Sequence, residues 1–312
     1  MARATAPQQP TAEPEETAPK RIGRGREFLY FALRDKRIII SLVIVVALLI
    51  VAFVGPMLRD HGPQDYIGPA GQAPSSEYWF GTTMFGQDVF VQFTHGLRST
   101  FFVGLVGGGL ACLVGMTVGF MAGYRGGLID EMLSMLTNVV LVIPTLMLLI
   151  VILAIARESG LVDWDPTGGY IFQALFIGFT SWPWAARAVR AQTLSLRTRD
   201  VGDLARLTGM GTRRIITGEI APNMSSYLML TCILLFGGAV LIAATLDVIG
   251  MGPPEGMSLG LMMNNAVLWS AMQLGMWWWF IPPGLGILLI VGSLYIMNVG
   301  LDEIFNPRLR KL

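Results

Sequence analysis

The chain has 312 residues, length for about two soluble domains, yet 53% of them are hydrophobic, 14% are charged and the mean hydropathy is +0.59. Soluble proteins carry about 25% charge, so a soluble chain is excluded, and 22 Lys and Arg against 21 Asp and Glu leave a net charge of +1 that draws neither nucleic acid nor acidic partners. Cys112 and Cys232 both lie in apolar runs without CxxC spacing, so no disulfide framework, structural zinc or redox chemistry is expected of them.

From the N-terminus, 1–25 is expected to be a disordered cytoplasmic tail, because its first nineteen residues are rich in Pro, Ala, Thr and Glu and have no apolar period with which to bury surface. Arg26 to Arg37 interleaves Phe28, Leu29, Tyr30, Phe31 and Leu33 with charge, the pattern either of an interfacial amphipathic helix or of a plain basic flank. The apolar run that follows is longer than a signal-peptide core and reads as an uncleaved span, closing a unit over 26–57. Six apolar stretches of spanning length are present: Ile38 to Met57, Phe101 to Gly123, Leu133 to Ala156, Ile171 to Val189, Tyr227 to Leu246 and Trp278 to Val299. The expected fold class is an all-α membrane protein with six transmembrane helices.

An even number of spans puts both termini on one side, and cytoplasmic segments retain positive charge. With cytoplasmic termini, every Lys and Arg falls inside except Arg59, Arg98 and Arg157. The segment 58–98, with Pro63, Pro69 and Pro74, then becomes an external loop. It ends in Gly81-Thr82-Thr83-Met84-Phe85-Gly86-Gln87-Asp88-Val89, where Gly81 and Gly86 permit special backbone angles and Asp88 is placed to cap a helix starting at Val89.

The second span carries Gly115, Gly119 and Gly123 at four-residue spacing, a doubled small-xxx-small pattern that brings helices into backbone contact. Pro144 and Pro183 each remove a backbone hydrogen bond, giving a kink or a hinge. In the inside loop, Val201, Leu204, Ala205 and Thr208 share one helical face, Gly209 suits a C-cap, and a second short helix is expected from Thr212 to Glu219 before Pro222.

That loop resembles the cytoplasmic loop of the membrane subunits of bacterial ATP-binding-cassette importers. Asp203, Leu204 and Ala205 stand for the Glu-Ala-Ala of the family motif, with Gly209 and Pro222-Asn223 at the family's offsets. The chain is similar to the dipeptide, oligopeptide and nickel subfamily, second-permease type, through Gly81 to Val89, through Gly123-Tyr124-Arg125-Gly126-Gly127 with Asp130 following, and through Asn306-Pro307-Arg308. The resemblance implies a type I importer permease fold over 99–300, with an ATPase-docking loop at 190–222, a cytoplasmic C-terminus at 301–312, and residence in the bacterial inner membrane. It implies docking by Asp203, Leu204, Ala205, Gly209 and Met210. The implied partners are a sister permease, two ATPase subunits holding ATP and Mg, and an extracytoplasmic solute-binding protein. The chain itself has no GxxxxGK[ST] phosphate loop, so no catalytic residue and no cofactor is assigned to it.

The resemblance departs at Ile242-Ala243-Ala244-Thr245, where peptide permeases carry an acidic residue, so an oligosaccharide substrate stays open beside a peptide. Trp269, Trp277, Trp278 and Trp279 present either rings for a sugar or an interfacial belt. Asp247 is a candidate pathway-lining residue or a solvated helix end, and Asn138 a second candidate or an interhelical hydrogen-bonder. His61 and His95 lack metal-ligand spacing, so no metal is expected. A secondary transporter would need internal repeats and an intramembrane coupling charge, and an embedded enzyme would need convergent acid, base or metal groups.

Overall fold

The computed structural model describes residues 34–160, 164–197 and 211–305. The N-terminal tail and interfacial segment up to residue 33, the docking residues Asp203, Leu204, Ala205, Gly209 and Met210, and the Asn306-Pro307-Arg308 end lie outside the described residues.

Helix α1, Lys36–Val54, starts where the Asp35 carboxylate accepts from the amides of Arg37 and Ile38 and ends in a short 3-10 turn, Gly55–Leu58. The segment 58–88 then folds as an irregular cap over one end of the bundle. Helix α2, Val89–Arg125, begins at Val89 behind the expected Asp88 cap, so the helix starts well before the apolar stretch at Phe101. The stretch from Val89 to Thr100 holds Gln92, Thr94 and Arg98, which cut off the apolar run in the sequence. Gln92, Thr94 and Thr100 are buried within the protein, Gln92 by the cap segment, so their polarity is hidden from the surroundings.

The third apolar stretch is two helices, α3 (Gly127–Val142) and α4 (Thr145–Ser159), which meet at 80°. Pro144 has no N–H to continue the ladder, and its backbone is extended (ψ 103°), so the expected kink is a full break. Pro183 has no such effect, lying inside the continuous helix α5, Pro166–Arg197. Three helical turns follow, Thr212–Ile215, Ile216–Ile220 and Ala221–Asn223, the middle one π-helical. Helical backbone thus runs through Pro222 where a stop was expected, because Pro222 sits in the first turn of a segment, where its missing N–H costs little.

Helix α6, Ser225–Val248, and helix α8, Trp277–Phe305, enclose an unforeseen short helix, α7, Leu259–Leu268, whose N-terminus Ser258 caps through the amide of Leu261. Among the described residues four helices are long and apolar enough to cross a membrane, or five if the bent pair is one span. Helix α5 is not among them; it holds Gln173, Thr193 and three arginines, Arg187, Arg190 and Arg197, and of these Gln173 and Thr193 are buried.

Glycine decides the centre of the bundle. On α2 a β-carbon at Gly115 would stand 2.7 Å from the Ala185 side chain and 2.9 Å from the Trp182 carbonyl oxygen, and at Gly123 it would stand 2.7 Å from Thr193. The rising numbers on both sides of this contact mean that α2 and α5 run parallel. Gly104 and Gly108 meet Val240 and Phe236 of α6 in the opposite sense. That antiparallel crossing brings Cys112 and Cys232 together as a disulfide, with Cα atoms 5.5 Å apart, which corrects the expectation of two unrelated thiols. The reason is purely tertiary, since 120 residues separate them. Helix α8 packs back along α1, with Gly300 against Ile38 and Glu303 paired to Arg37.

Candidate functional site

The cap end of the bundle is built on two tight turns. Gly81 and Gly86 have φ of +71° and +79°, a region that penalises side chains. A β-carbon at Gly81 would also lie 2.5 Å from the Gln72 carbonyl oxygen and 2.8 Å from Trp278. These turns carry the chain into Asp88, whose Oδ1 accepts from the Phe90 amide at 2.8 Å and so caps α2. The other oxygen, Oδ2, is 3.5 Å from His61 Nε2 and 3.9 Å from Arg59 Nε. Trp278 donates from Nε1 to the Thr82 carbonyl at 3.1 Å, which fastens α8 to the cap. The tryptophan cluster is therefore divided: Trp278 is a strut, Trp279 is 1% exposed, and Trp269 and Trp277 are about half exposed.

Beneath the cap, Asp247 is 2% exposed and so does not occupy a solvated helix end. Its Oδ1 accepts from Gln173 Nε2 at 2.7 Å and its Oδ2 from Ser258 Oγ at 2.5 Å. Arg157 of α4 donates to the carbonyls of Gly250 and Gly252 in the following turn. One carboxylate thus ties α5, α6 and the start of α7, and a buried charge held by hydrogen bonds is the arrangement that low dielectric demands. Gln173 and Ser258 were not singled out from the sequence; the only signal was a polar residue inside an apolar stretch.

At the opposite end, Asn138 accepts from Arg187 at 2.9 Å. Asp130 takes Arg190 in a two-point grip, Nε to Oδ1 at 2.5 Å and Nη2 to Oδ2 at 2.7 Å, the strong form of a carboxylate pair. Both contacts join α3 to α5 beside the Gly115, Gly119 and Gly123 interface. Pro222 lies at this same end, in the last of the turns that lead into α6. Gly81, Gly86 and Asp88 are brought together at the cap; Asp247 and Asn138, the two pathway candidates, stand at opposite ends of the bundle and do not meet.

Two cavities open near the cap. The larger, about 660 Å³, is lined by Arg98, His95, Asp65, Glu255, Tyr170 and apolar neighbours that include Phe53; the Arg98 guanidinium sits 5.3 Å from the centre of the Phe53 ring. The smaller, about 400 Å³, is lined by amides and aromatic rings. Among the described residues no group of three or more His, Cys, Asp or Glu is placed to hold a metal ion.

Long apolar helices in glycine-mediated contact, with buried hydrogen-bonded polar residues and cavities at one end, define a multi-pass membrane protein. Residues 115–311 match the family described as binding-protein-dependent transport system inner membrane component. The chain is similar to a dipeptide transport system permease protein, DppC, of Alkalihalophilus pseudofirmus, 30% identical over 97% of this chain and 96% of the relative. It is also similar to the oligopeptide transport system permease protein OppC of Mycobacterium tuberculosis, at 28% over 90% and 93%, and to the dipeptide permease DppC of Bacillus subtilis, at 29% over 89% and 84%. The chain belongs to this family of inner membrane permease components, whose members are transport subunits.

Proposed function

We propose that this chain forms half of the translocation pathway of an ATP-driven peptide importer in a bacterial inner membrane. The observation that carries the reading is the similarity along 97% of the chain to a permease named for dipeptides, with further relatives named for oligopeptides. Those names favour peptides over oligosaccharides, despite the missing acidic residue at Ile242 to Thr245. In this reading α5 also spans the membrane and brings the number of spans to six, both termini are cytoplasmic, and the cap faces the solute-binding protein.

The energy enters from outside the chain. Two ATPase subunits holding ATP and Mg close, the helix from Asp203 to Gly209 and its counterpart in a sister permease are pushed, and the two bundles rock between inward-open and outward-open states. What supports rigid-body motion is the α2–α5 contact, where the bare glycine face of α2 meets the backbone carbonyls and β-carbons of α5, and the Asp130–Arg190 grip beside it. The test is reconstitution: peptide uptake is expected only with both permeases, the ATPases, ATP and the binding protein together. Uptake by this chain alone, driven by an ion gradient, would establish a secondary transporter instead.

The topology has its own check. In a background where Cys112 and Cys232 are replaced by alanine, a cysteine at Ala70 is expected to react with an impermeant thiol reagent in intact cells. One at Thr212 is expected to react only after permeabilisation, and the reverse pattern would invert the orientation.

A further inference from the structure

The larger cavity is lined by charge of both signs that the described residues leave unpaired. Arg98 comes from α2, Asp65 from the cap and Glu255 from the loop between α6 and α7, and all three are exposed. Gln64 joins two of these segments: its Nε2 donates to the Glu255 carbonyl at 3.1 Å, so the neighbour of Asp65 is tied to Glu255 across 191 positions. Asp65 is itself held in place, one carboxylate oxygen accepting from the Gly62 amide at 2.6 Å. Among the described residues no carboxylate comes within 4.0 Å of the Arg98 guanidinium, and no Lys, Arg or His comes within that distance of Asp65 or Glu255.

Unpaired charge is ordinary on an open surface, but these three groups line one recess. Its other walls include Phe53, Phe102 and Met257, and the Arg98 guanidinium rests 5.3 Å from the centre of the Phe53 ring. Apolar walls thin the water around a charge and strengthen its pull on an opposite one. The two carboxylates repel each other and attract a cation, while the guanidinium is shaped to take a carboxylate by two parallel hydrogen bonds. A ligand that satisfies both ends must carry one positive and one negative group held apart. The volume of about 660 Å³ falls in the range of small-molecule sites.

We infer that this cavity takes the two charged ends of a short unmodified peptide, the C-terminal carboxylate at Arg98 and the N-terminal ammonium at Asp65 and Glu255. This rests on the peptide-importer reading and adds that the permease itself selects for free termini. The three donors of an ammonium suit two carboxylates at once. Both termini are common to every unmodified peptide, so the site needs no particular side chain. The smaller cavity, which shares Gln64 and Met257 with this one and has no charged residue in its lining, leaves room for side chains of differing shape.

The test measures binding by saturation-transfer NMR to the complex of both permeases and the ATPases in nanodiscs. The probes are an alanine tripeptide, its C-terminal amide and its N-acetyl derivative. In the wild type each capped peptide is expected to bind about tenfold more weakly than the tripeptide, a loss of about 1.4 kcal/mol. Arg98→Gln is expected to weaken the tripeptide about tenfold and leave the amide unchanged, because the amide has no carboxylate to lose. Arg98→Lys should recover part of that loss. Asp65→Asn combined with Glu255→Gln is expected to weaken the tripeptide and leave the N-acetyl peptide unchanged. Asp60→Asn, at an exposed cap carboxylate outside the cavity, should alter none of the three affinities. Equal affinities in the wild type, or no binding of the tripeptide, would overturn the site. So would a tripeptide-to-amide ratio that survives Arg98→Gln. Phosphatidylethanolamine carries the same two charges; its retention by the purified wild type and loss from Arg98→Gln, with no peptide displacing it, would give the cavity to a lipid headgroup instead. ATP-driven tripeptide uptake by the complete system is read separately: its failure rejects the peptide-importer reading itself, whereas uptake without discrimination between termini in the binding measurement rejects only the cavity.

Discussion

Leucine in place of Gly119 is expected to prevent stable packing of the bundle. A β-carbon there would stand 2.7 Å from both the Ala186 carbonyl oxygen and Val189 Cβ, and a backbone carbonyl inside a helix cannot step aside. The cost of forcing extra atoms into a packed interface is about 3 kcal/mol, a large share of the stability of a typical domain. Gly109, four residues before Leu113 on the same helix, has open space where its β-carbon would be. Gly109→Leu should therefore leave the detergent-solubilised protein monodisperse with its thermal midpoint nearly unchanged, while Gly119→Leu should aggregate or lose at least several degrees. Equal behaviour of the two variants would remove the α2–α5 contact from the account of stability.

Ala205→Arg and Gly209→Val should insert into the membrane normally, yet fail to retain the ATPase subunits and lose substrate-stimulated hydrolysis. If Asp203 to Gly209 forms the helix expected from the sequence and enters a cleft on the ATPase, its small face must approach closely. Gly209 would then end the helix in a conformation that penalises a side chain by about 1 kcal/mol. The competing account is a passive amphipathic helix on the inner membrane surface, for which an arginine at 205 is harmless or favourable beside anionic lipid. One pull-down and one ATPase measurement on the intact complex separate them. Normal retention and normal coupling in both variants would end the docking role.

Glycine spacing and charge placement were informative because they are local or statistical. The period of Gly115, Gly119 and Gly123 needs only a helix to put the three on one face, and Asp88 before Val89 needs only one turn to become a cap. The break at Pro144 was legible as a lost hydrogen bond, but its 80° angle depends on what α3 and α4 pack against. The apolar span was placed from Phe101, although the capped helix was expected from Val89, for a related reason. Apolar length measures what lipid would accept, whereas Gln92, Thr94 and Thr100 are hidden by protein.

The chain by itself determined that this is a helical membrane protein resembling a known transport family, roughly where its long apolar stretches lie and which helix has the bare face, since these follow from residue type and period. Only the tertiary structure decided what those faces touch. It set α2 parallel to α5 and antiparallel to α6, joined Cys112 to Cys232, closed Asp247 between Gln173 and Ser258, and tied Gln64 of the cap to Glu255 beside one cavity. Each of these pairs is separated by 11 to 191 positions along the chain, and contact between such residues is set by helix order and crossing, which no local pattern of residues encodes.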